Sequence, residues 1–259
     1  MNAICYNPDI KNSIEVLNKL CILLDEYSIE YEVLQINNLK SYYDFVFVIG
    51  GDGTILRVSR FYAKYKTPIF GINLGHLGFL SQAGVNNIEK AINFISNKDY
   101  KIESRLMLET KGYTALNDFV IKSIDSSRAS CFSLEVDGFF VSNYCSDGII
   151  ISTPTGSTAY GMSAGGPVLT PDLTALVIVP ICPHTFSARP LVVSADSKIV
   201  ISCDKKYSVC ADGQELFLNE GSLSIKKSDY YASLVLLNDN DFYSVLRNKL
   251  HWGYSPVVY

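Results

Sequence analysis

The chain has 259 residues, of which 48% are hydrophobic, and a formal net charge of −4 at pH 7. This composition is typical of a soluble globular protein with a substantial core, arranged as one large domain or two modest ones. The acidic balance argues against a nucleic-acid partner, and the lack of a membrane-length apolar run or a signal-peptide pattern argues against a membrane partner.

The first hundred residues alternate between strand-like and helix-like segments. Short apolar or alternating runs predict strands at 3–6, 31–34, 45–49 and 68–72. Apolar positions at helical spacing predict helices at 13–24, 54–65 and 87–95. The run at 45–49 is apolar throughout, as in a strand buried on both faces. This order predicts an α/β domain over residues 1–100, Rossmann-like, with a mostly parallel sheet.

From about residue 101 the pattern changes to short β-rich runs separated by turns. Strands are predicted at 107–110, 119–121, 131–136, 148–151, 176–179, 198–201 and 222–225. Asp137-Gly138 and Asp212-Gly213 have the composition of tight turns. We therefore predict an all-β, sandwich-like domain over residues 101–240, with a ligand cleft between the two domains. A last helix within 241–252 is expected to pack back on the first domain.

A glycine-rich turn with a carboxylate at its centre follows the apolar run at 45–49. Its sequence is Gly50-Gly51-Asp52-Gly53-Thr54, and helical spacing begins directly after it. A strand that ends in such a turn and opens a helix is a common phosphate site in α/β proteins. The carboxylate suggests phosphoryl transfer, with Asp52 as general base or magnesium ligand and Thr54 as helix cap. The alternative is an ordinary strand-to-helix turn.

A longer segment, residues 147–167, joins Asp147 and a strand to a turn rich in hydroxyl groups and small residues. Hydroxyls and bare backbone amides at the start of a helix can bind phosphate, ribose or amide groups without net charge. Composition alone leaves open a second interpretation, a Ser/Thr loop with a capped helix and no ligand.

Three further segments carry weaker signals. The pair Asn117-Asp118 could bind a ribose or an adenine but is also a common turn, and Asp212-Gly213-Gln214 by itself indicates a hairpin. In the loop 182–190, His184 is better explained as a structural histidine than as a catalytic one. The seven cysteines, odd in number and without a Cys-x-x-Cys pair, predict reduced thiols in the cytoplasm.

Taken together and in this order, these motifs resemble the NAD kinase family. The resemblance runs from Asp44 to Trp252 and covers the Gly-Gly-Asp-Gly-Thr turn, residues 73–80, Asn117-Asp118, and the segments 152–171, 183–190 and 212–214. The glycine turn alone is shared with lipid kinases of the diacylglycerol and sphingosine type. The hydroxyl-rich segment and the Pro-His-Thr segment are far more specific to NAD kinases.

The resemblance implies a reaction and its partners. Members of the family transfer the γ-phosphoryl group of ATP, and in some cases use polyphosphate, to the 2′-hydroxyl of the adenosine ribose of NAD. The product is NADP, and a divalent metal ion, here expected to be Mg²⁺, takes part. NAD and ATP are the implied partners, Asp52 is the implied proton acceptor, and a homodimer or homotetramer is the implied assembly.

The resemblance also assigns substrate-binding positions. These are Gly53, Arg57, Asn117, Asp118, Arg128, Asp147, Thr155, Thr158, Ala159, Tyr160, Ser163 and Gln214. Gly53 would lie against the ligand, while Arg57 and Arg128 would face phosphate. Asn117 and Asp118 would hold the adenine and ribose. Asp147 would meet the nicotinamide amide and Gln214 would lie near the adenine end. The dinucleotide pocket would be lined by Thr155, Thr158, Ala159, Tyr160 and Ser163.

Two positions depart from the family pattern. Asp118 stands where many members have Glu, so its side chain is shorter by one methylene group. Cys145 stands where many members have Arg or His near the substrate phosphates, so we expect an altered phosphate affinity.

A lipid kinase and a non-catalytic dinucleotide-binding module remain the rival interpretations. An assay with NAD, ATP and magnesium that measures NADP distinguishes these two from an NAD kinase.

Overall fold

The computed structural model describes residues 1–75, 78–124, 130–185, 187–238 and 241–252. These residues form two compact units. The first unit is made of residues 1–104 together with the C-terminal segment from residue 232, and the second unit is residues 105–231. None of the helices in the described part of the chain is long and apolar enough to cross a membrane.

The first unit is a parallel sheet with helices. Its elements in chain order are β1 (Asn2–Tyr6), α1 (Ser13–Glu26), β2 (Tyr31–Gln35), β3 (Val46–Ile49), α2 (Asp52–Tyr62), β4 (Ile69–Asn73), β5 (Ser81–Gly84) and α3 (Ile88–Ser96). All four residues of β3 are buried, as its apolar sequence predicts. The helix α1 buries Val16, Leu20 and Leu24 in the core, which leaves the apolar Ile14 exposed on the opposite side.

The order of the strands in this sheet defines the edge at which open α/β sheets usually bind their ligands. β1 pairs in parallel with β2 on one side and with β3 on the other, and β3 pairs in parallel with β4. The chain therefore reverses its direction across the sheet between β1 and β3. In open α/β sheets, ligands bind outside the carboxyl ends of the strands at this kind of switch point. The turn Gly50-Gly51 before Asp52 follows β3 directly at this edge.

The second unit is built from mostly antiparallel strands. The elements that lie wholly or mostly in it are β6 (Tyr100–Thr110), β7 (Tyr113–Ala115), β8 (Asp118–Ser123), β9 (Ser130–Val136), β10 (Phe139–Ser146), β11 (Gly148–Ser152), α4 (Tyr160–Ser163), β12 (Ala175–Ile181), β13 (Leu191–Ser194), β14 (Ile199–Ala211) and β15 (Gln214–Leu237). β8 lies between β11 and β14 and is antiparallel to both. An apolar cluster that includes Phe119, Ile121, Phe132 and Val209 forms its core.

Two tight turns are confirmed as hairpins. Asp137-Gly138 joins β9 to β10, and Asp212-Gly213 joins β14 to β15. All four residues have positive φ, between 49° and 83°, which is the backbone that Asp-Gly hairpins adopt. The predicted fold class, an α/β part followed by an all-β part, is also confirmed by this arrangement.

Two local expectations differ from the structure. The helix α2 begins at Asp52 rather than at residue 54, so Asp52 and Gly53 belong to the first turn of the helix. Thr54 is therefore not a cap, and its backbone N–H instead bonds to the carbonyl of Gly51 at 2.9 Å. Gly51 is the residue before the helix and provides no side chain for capping.

The boundary after the β-rich segment also lies elsewhere than residue 240. Residues 232–237, the end of β15, belong to the first unit, where Leu234 pairs with Ile69 of β4. Val235 and Leu237 are buried in the core of that unit. The last helix, α5 (Phe242–Leu250), belongs to the same unit.

Candidate active site

Asp52 is the first residue of α2, at the carboxyl end of β3. The turn Gly50-Gly51 is close-packed, because a Cβ on Gly50 would lie 2.5 Å from the Thr54 hydroxyl oxygen. The Asp52 side chain is 29% exposed. An accessible carboxylate at the positive end of a helix can meet a polar ligand at this edge of the sheet.

Two backbone amides of one loop hold the Asp52 carboxylate. The N–H of Phe79 donates to Oδ2 at 2.9 Å, and the N–H of Leu80 donates to Oδ1 at 3.3 Å. The Lys249 ammonium group lies 3.5 Å from Oδ2. Because both oxygens accept a hydrogen bond from fixed backbone, the orientation of this carboxylate is defined before a ligand arrives.

Gly78 lies against the same carboxylate. A Cβ on Gly78 would be 1.8 Å from Oδ1 of Asp52 and 2.4 Å from its Cγ. The Gly78 N–H donates to the Ser81 hydroxyl at 2.8 Å, which fixes the loop at this point. Only glycine at position 78 leaves room for the carboxylate to reach the two amides that follow.

Gly53 and Arg57 are exposed and four residues apart on α2, so they share one face of the helix. A Cβ on Gly53 would meet no heavy atom within 4 Å. Arg57 donates from Nη2 to the side-chain oxygen of Asn37 at 2.9 Å. The surface beside Gly53 is therefore open, with a cation one turn further along the helix.

In the second unit, Asp212 organises the Asn117-Asp118 pair. Its Oδ1 accepts the N–H of Asn117 at 2.7 Å and that of Asp118 at 3.3 Å, while Oδ2 accepts the N–H of Leu116 at 3.1 Å. In return, the Asp212 N–H donates to the carbonyl of Asp118 at 3.1 Å. The Asp-Gly-Gln segment is thus more than a hairpin turn, because its carboxylate fixes the backbone of a predicted substrate-binding motif.

Asp118 is almost completely buried, with 3% of its surface exposed. Burial raises the pKa of its carboxyl to about 7, the neighbouring Asp212 carboxylate adds to this rise, and Lys122 opposes it. A carboxyl group with such a pKa is present in both protonation states near neutral pH. It can therefore donate a hydrogen bond to a hydroxyl or amide oxygen when protonated, and accept one from a hydroxyl or amide N–H when ionised.

The hydroxyl-rich turn is bonded to the same motif. The carbonyl of Asn117 accepts the N–H of Thr153 at 2.9 Å, and the Thr153 hydroxyl donates to the carbonyl of Leu116 at 2.6 Å. A Cβ on Gly156 would lie 2.1 Å from the carbonyl oxygen of Asn117. Two motifs that are distant in sequence are therefore assembled side by side in this unit.

Several hydroxyl groups of this turn are hydrogen-bonded to other groups of the same unit. Ser157 donates to the carbonyl of Pro154 at 2.7 Å and accepts the N–H of Leu169 at 2.9 Å. Thr158 donates to the carbonyl of Thr155 at 3.3 Å, and the Thr155 hydroxyl accepts from Arg105 at 3.3 Å. Thr155 and Thr158 are buried, so the main role of their side chains is to stabilise the conformation of the turn.

The residues that follow are more accessible. Ala159 is partly exposed, and Tyr160 and Ser163 are exposed at the short helix α4. The Lys122 ammonium group lies 4.9 Å from the centre of the Tyr160 ring. Among the predicted pocket residues in this segment, Tyr160 and Ser163 are the ones most open to a ligand.

Asp147 and Gln214 are also exposed. The backbone of Asp147 bonds to Ser123 and to Ile181, each at 3.0 Å. Within the described ranges no hydrogen bond or ion pair joins its carboxylate to another residue. Gln214 is the first residue of β15, directly after the turn that contains Asp212. Arg128 lies outside the described residues.

The prediction that the cysteines are reduced is wrong for one pair. Cys131 of β9 and Cys145 of β10 are directly opposite each other and form a disulfide. The antiparallel pairing brings together two cysteines that no local motif connects. The free cysteines are Cys5, Cys21, Cys182, Cys203 and Cys210.

No group of three or more His, Cys, Asp or Glu side chains in the described part of the chain could hold a metal ion by itself. Mg²⁺ commonly uses only one or two protein carboxylates and takes its other ligands from substrate phosphates and water. The partly exposed carboxylate of Asp52 fits that mode of binding.

Comparison with known proteins extends over both units. Residues 6–100 match the sequence model of the ATP-NAD kinase N-terminal domain, and residues 116–237 match that of the ATP-NAD kinase C-terminal domain. An NAD kinase of Clostridium botulinum is 44% identical over 223 residues, covering 81% of this chain and 79% of the relative. An NAD kinase of Thermoanaerobacter is 39% identical over 221 residues, covering 80% and 78%.

Solved structures give the same result. The crystal structure of an NAD kinase from Archaeoglobus fulgidus in complex with ATP aligns with a TM-score of 0.83 at 31% identity, covering 97% of this chain and 99% of that one. The fold is that of a two-domain kinase. Within that class, the chain belongs to the NAD kinase family.

Proposed function

We propose that this protein transfers the γ-phosphoryl group of ATP to the 2′-hydroxyl of the adenosine ribose of NAD, and that Asp52 accepts the hydroxyl proton. The observation that carries the proposal is the Asp52 carboxylate, held by the Phe79 and Leu80 amides at the ligand edge of a parallel sheet. The family to which the chain belongs supports the choice of NAD and ATP as substrates. The Archaeoglobus fulgidus relative with ATP supports ATP as the donor.

In this reaction the ribose oxygen attacks the γ-phosphorus while the bond from that phosphorus to the β–γ bridging oxygen breaks. ADP leaves, and the proton of the hydroxyl passes to Asp52. Positioning and charge neutralisation supply most of the catalysis in phosphoryl transfer. Bound Mg²⁺ would neutralise phosphate charge, with Asp52 as a candidate ligand. Arg57, on the same face of α2 as Gly53, is suited to contact phosphate oxygens.

The second unit is proposed to recognise NAD. Asn117 and Asp118 would bind the adenine and ribose through the amide and the buried carboxyl group. Asp147, with an exposed carboxylate, can accept the N–H groups of the nicotinamide amide. The residues proposed to line the dinucleotide pocket are Thr155, Thr158, Ala159, Tyr160 and Ser163, with Gln214 near the adenine end. A cytoplasmic location and a homodimer or homotetramer belong to the same proposal.

The test is an assay with NAD, ATP and Mg²⁺ in which NADP is measured, on the wild type and on Asp52→Asn. The amide cannot take a proton but is nearly the same size, so we expect a folded variant that binds NAD and has very low turnover. Near-normal NADP formation by Asp52→Asn would overturn the assignment of the base. A wild type that binds NAD without forming NADP from ATP or polyphosphate would overturn the proposed reaction, and phosphorylation of a lipid instead would favour the lipid-kinase alternative.

A further inference from the structure

The helix α5 is firmly attached beside the loop that holds Asp52. Asp241 caps the helix, since its Oδ1 accepts the N–H of Ser244 at 2.9 Å. Leu246 is buried at 7% exposure. The rings of Phe242 and Phe79 lie 6.5 Å apart, centre to centre. The first half of α5 and Leu246 are therefore held by contacts that do not involve Lys249.

That last turn carries Lys249, which makes two contacts with the Asp52 environment. Its ammonium nitrogen lies 3.5 Å from Oδ2 of Asp52 and 4.7 Å from the centre of the Phe79 ring. The backbone N–H of the same Phe79 donates to the same Oδ2 at 2.9 Å. One residue thus orients both the carboxylate, through its amide, and the lysine, through its ring.

We expect the ion pair between Lys249 and Asp52 to contribute little to the stability of the fold, because both side chains are partly exposed to solvent. The two side chains are 37% and 29% exposed, and exposed ion pairs contribute little to the free energy of unfolding. The consequence of the contact is instead local, because it adds a third partner to a carboxylate that two amides already orient. A group held in this way loses little freedom when a substrate arrives.

We propose that Lys249 is a positioning residue for phosphoryl transfer, acting through Asp52. This inference rests on the proposed function, in which Asp52 accepts the proton of the ribose hydroxyl. Lys249 keeps its own protons throughout the reaction and forms no covalent bond. Its ammonium group adds a contact at Oδ2 to the two amide hydrogen bonds and so further restricts the rotation of the carboxylate.

The experiment compares Lys249→Met and Lys249→Arg with the wild type in the NADP-forming assay. Lys249→Met keeps the aliphatic stem but removes the charge, so we expect kcat to fall about 10- to 100-fold, while KM for NAD and for ATP changes less than about twofold. Lys249→Arg restores a cation at this position and is expected to recover most of kcat. Lys64→Met is the matched control, because Lys64 also lies over an aromatic ring, at 4.8 Å from Tyr65, in the same unit. We expect this control to have wild-type kcat and KM.

Two results would overturn the proposal. The first is wild-type kcat in Lys249→Met. The second is an equal loss in Lys249→Met and Lys249→Arg together with a lowered melting temperature, which would show a packing role. Lys249→Gln, measured in parallel, serves if the methionine variant unfolds. The Asp52→Asn variant distinguishes failure of the proposed function from failure of this inference. If Asp52→Asn is active, the assignment of Asp52 as the base is overturned as well. If Asp52→Asn is inactive and Lys249→Met has wild-type activity, only the positioning role of Lys249 is overturned.

Discussion

Gly78 and the carboxylate of Asp52 are in such close contact that a Cβ at position 78 would lie 1.8 Å from Oδ1. The following two amides hold both oxygens of this carboxylate. The loop that supplies them comes after the neighbouring strand β4, so the position of Asp52 depends on two strands of the sheet rather than on its own turn alone.

Gly78→Ala is predicted to displace Asp52 and to lower kcat about 100-fold, because a shift of about 1 Å in a reacting group can cost that much. The measurement is the NADP-forming assay, with circular dichroism to check the fold. Gly75→Ala is the matched control in the same loop, since its Cβ would lie 3.9 Å from the Asn73 side-chain oxygen, an ordinary contact. Wild-type kcat in Gly78→Ala would show that Asp52 tolerates displacement.

Asp212→Ala is predicted to lower the free energy of unfolding by about 2–4 kcal/mol, because three backbone N–H groups lose a charged acceptor. The same change loosens the Asn117-Asp118 backbone, so KM for NAD is expected to rise. Urea unfolding and NAD titration measure the two effects. The control is Asp196→Ala, whose exposed carboxylate pairs with Lys227 and is expected to contribute little. An Asp212→Ala variant as stable as that control would contradict the organising role.

Deprotonation of Asp118 is predicted to lower the free energy of unfolding as the pH rises from about 4 to about 7. The pKa of Asp118 is raised by burial from its ordinary value of 3.8 to about 7, so the folded state holds this proton more tightly than the unfolded state does. Its stabilising contribution is complete below the unfolded pKa and is lost as the pH passes through the folded pKa, to the extent of a few kcal/mol. Urea unfolding at pH 5 and pH 8 should show a smaller difference in Asp118→Asn than in the wild type, and equal differences would count against the raised pKa.

The disulfide between Cys131 and Cys145 predicts how many thiol groups the protein has before and after reduction. Of the seven cysteines in the sequence, five are free, so the protein denatured without reductant should react with about five equivalents of a thiol reagent and with seven after reduction. The variant with both Cys131→Ser and Cys145→Ser should give five in both conditions. Seven thiols before reduction would restore the original prediction that all cysteines are reduced.

The sequence predicted the parts of this protein that are determined locally. The strand at β3 and the Asp-Gly hairpins follow from apolar runs and turn chemistry, and each is present. The predicted start of α2 is two residues too late, because Asp52 and Gly53 have low helix propensity and the helix begins without a side-chain cap.

The partners of the predicted site residues could not be read from the sequence. Asp212 bonds to a backbone about a hundred residues away, and Lys249 reaches Asp52 from the other end of the chain. Neither contact has a periodicity or a local motif, since each depends on which strands and helices become neighbours. The disulfide was missed for the same reason, because only the register of β9 and β10 places its two cysteines opposite each other.

The division of the first unit into two segments has a consequence for biosynthesis. The ribosome completes residues 1–104 long before it makes the strand ending at Leu237 and the helix that carries Lys249. Ile69 of β4 lacks its pairing partner until Leu234 has been made, whereas the second unit is one continuous segment of the sequence. The nascent protein therefore acquires the complete surroundings of Asp52 only after residue 249 has been made, and a chain released before that point has no Lys249 beside its carboxylate.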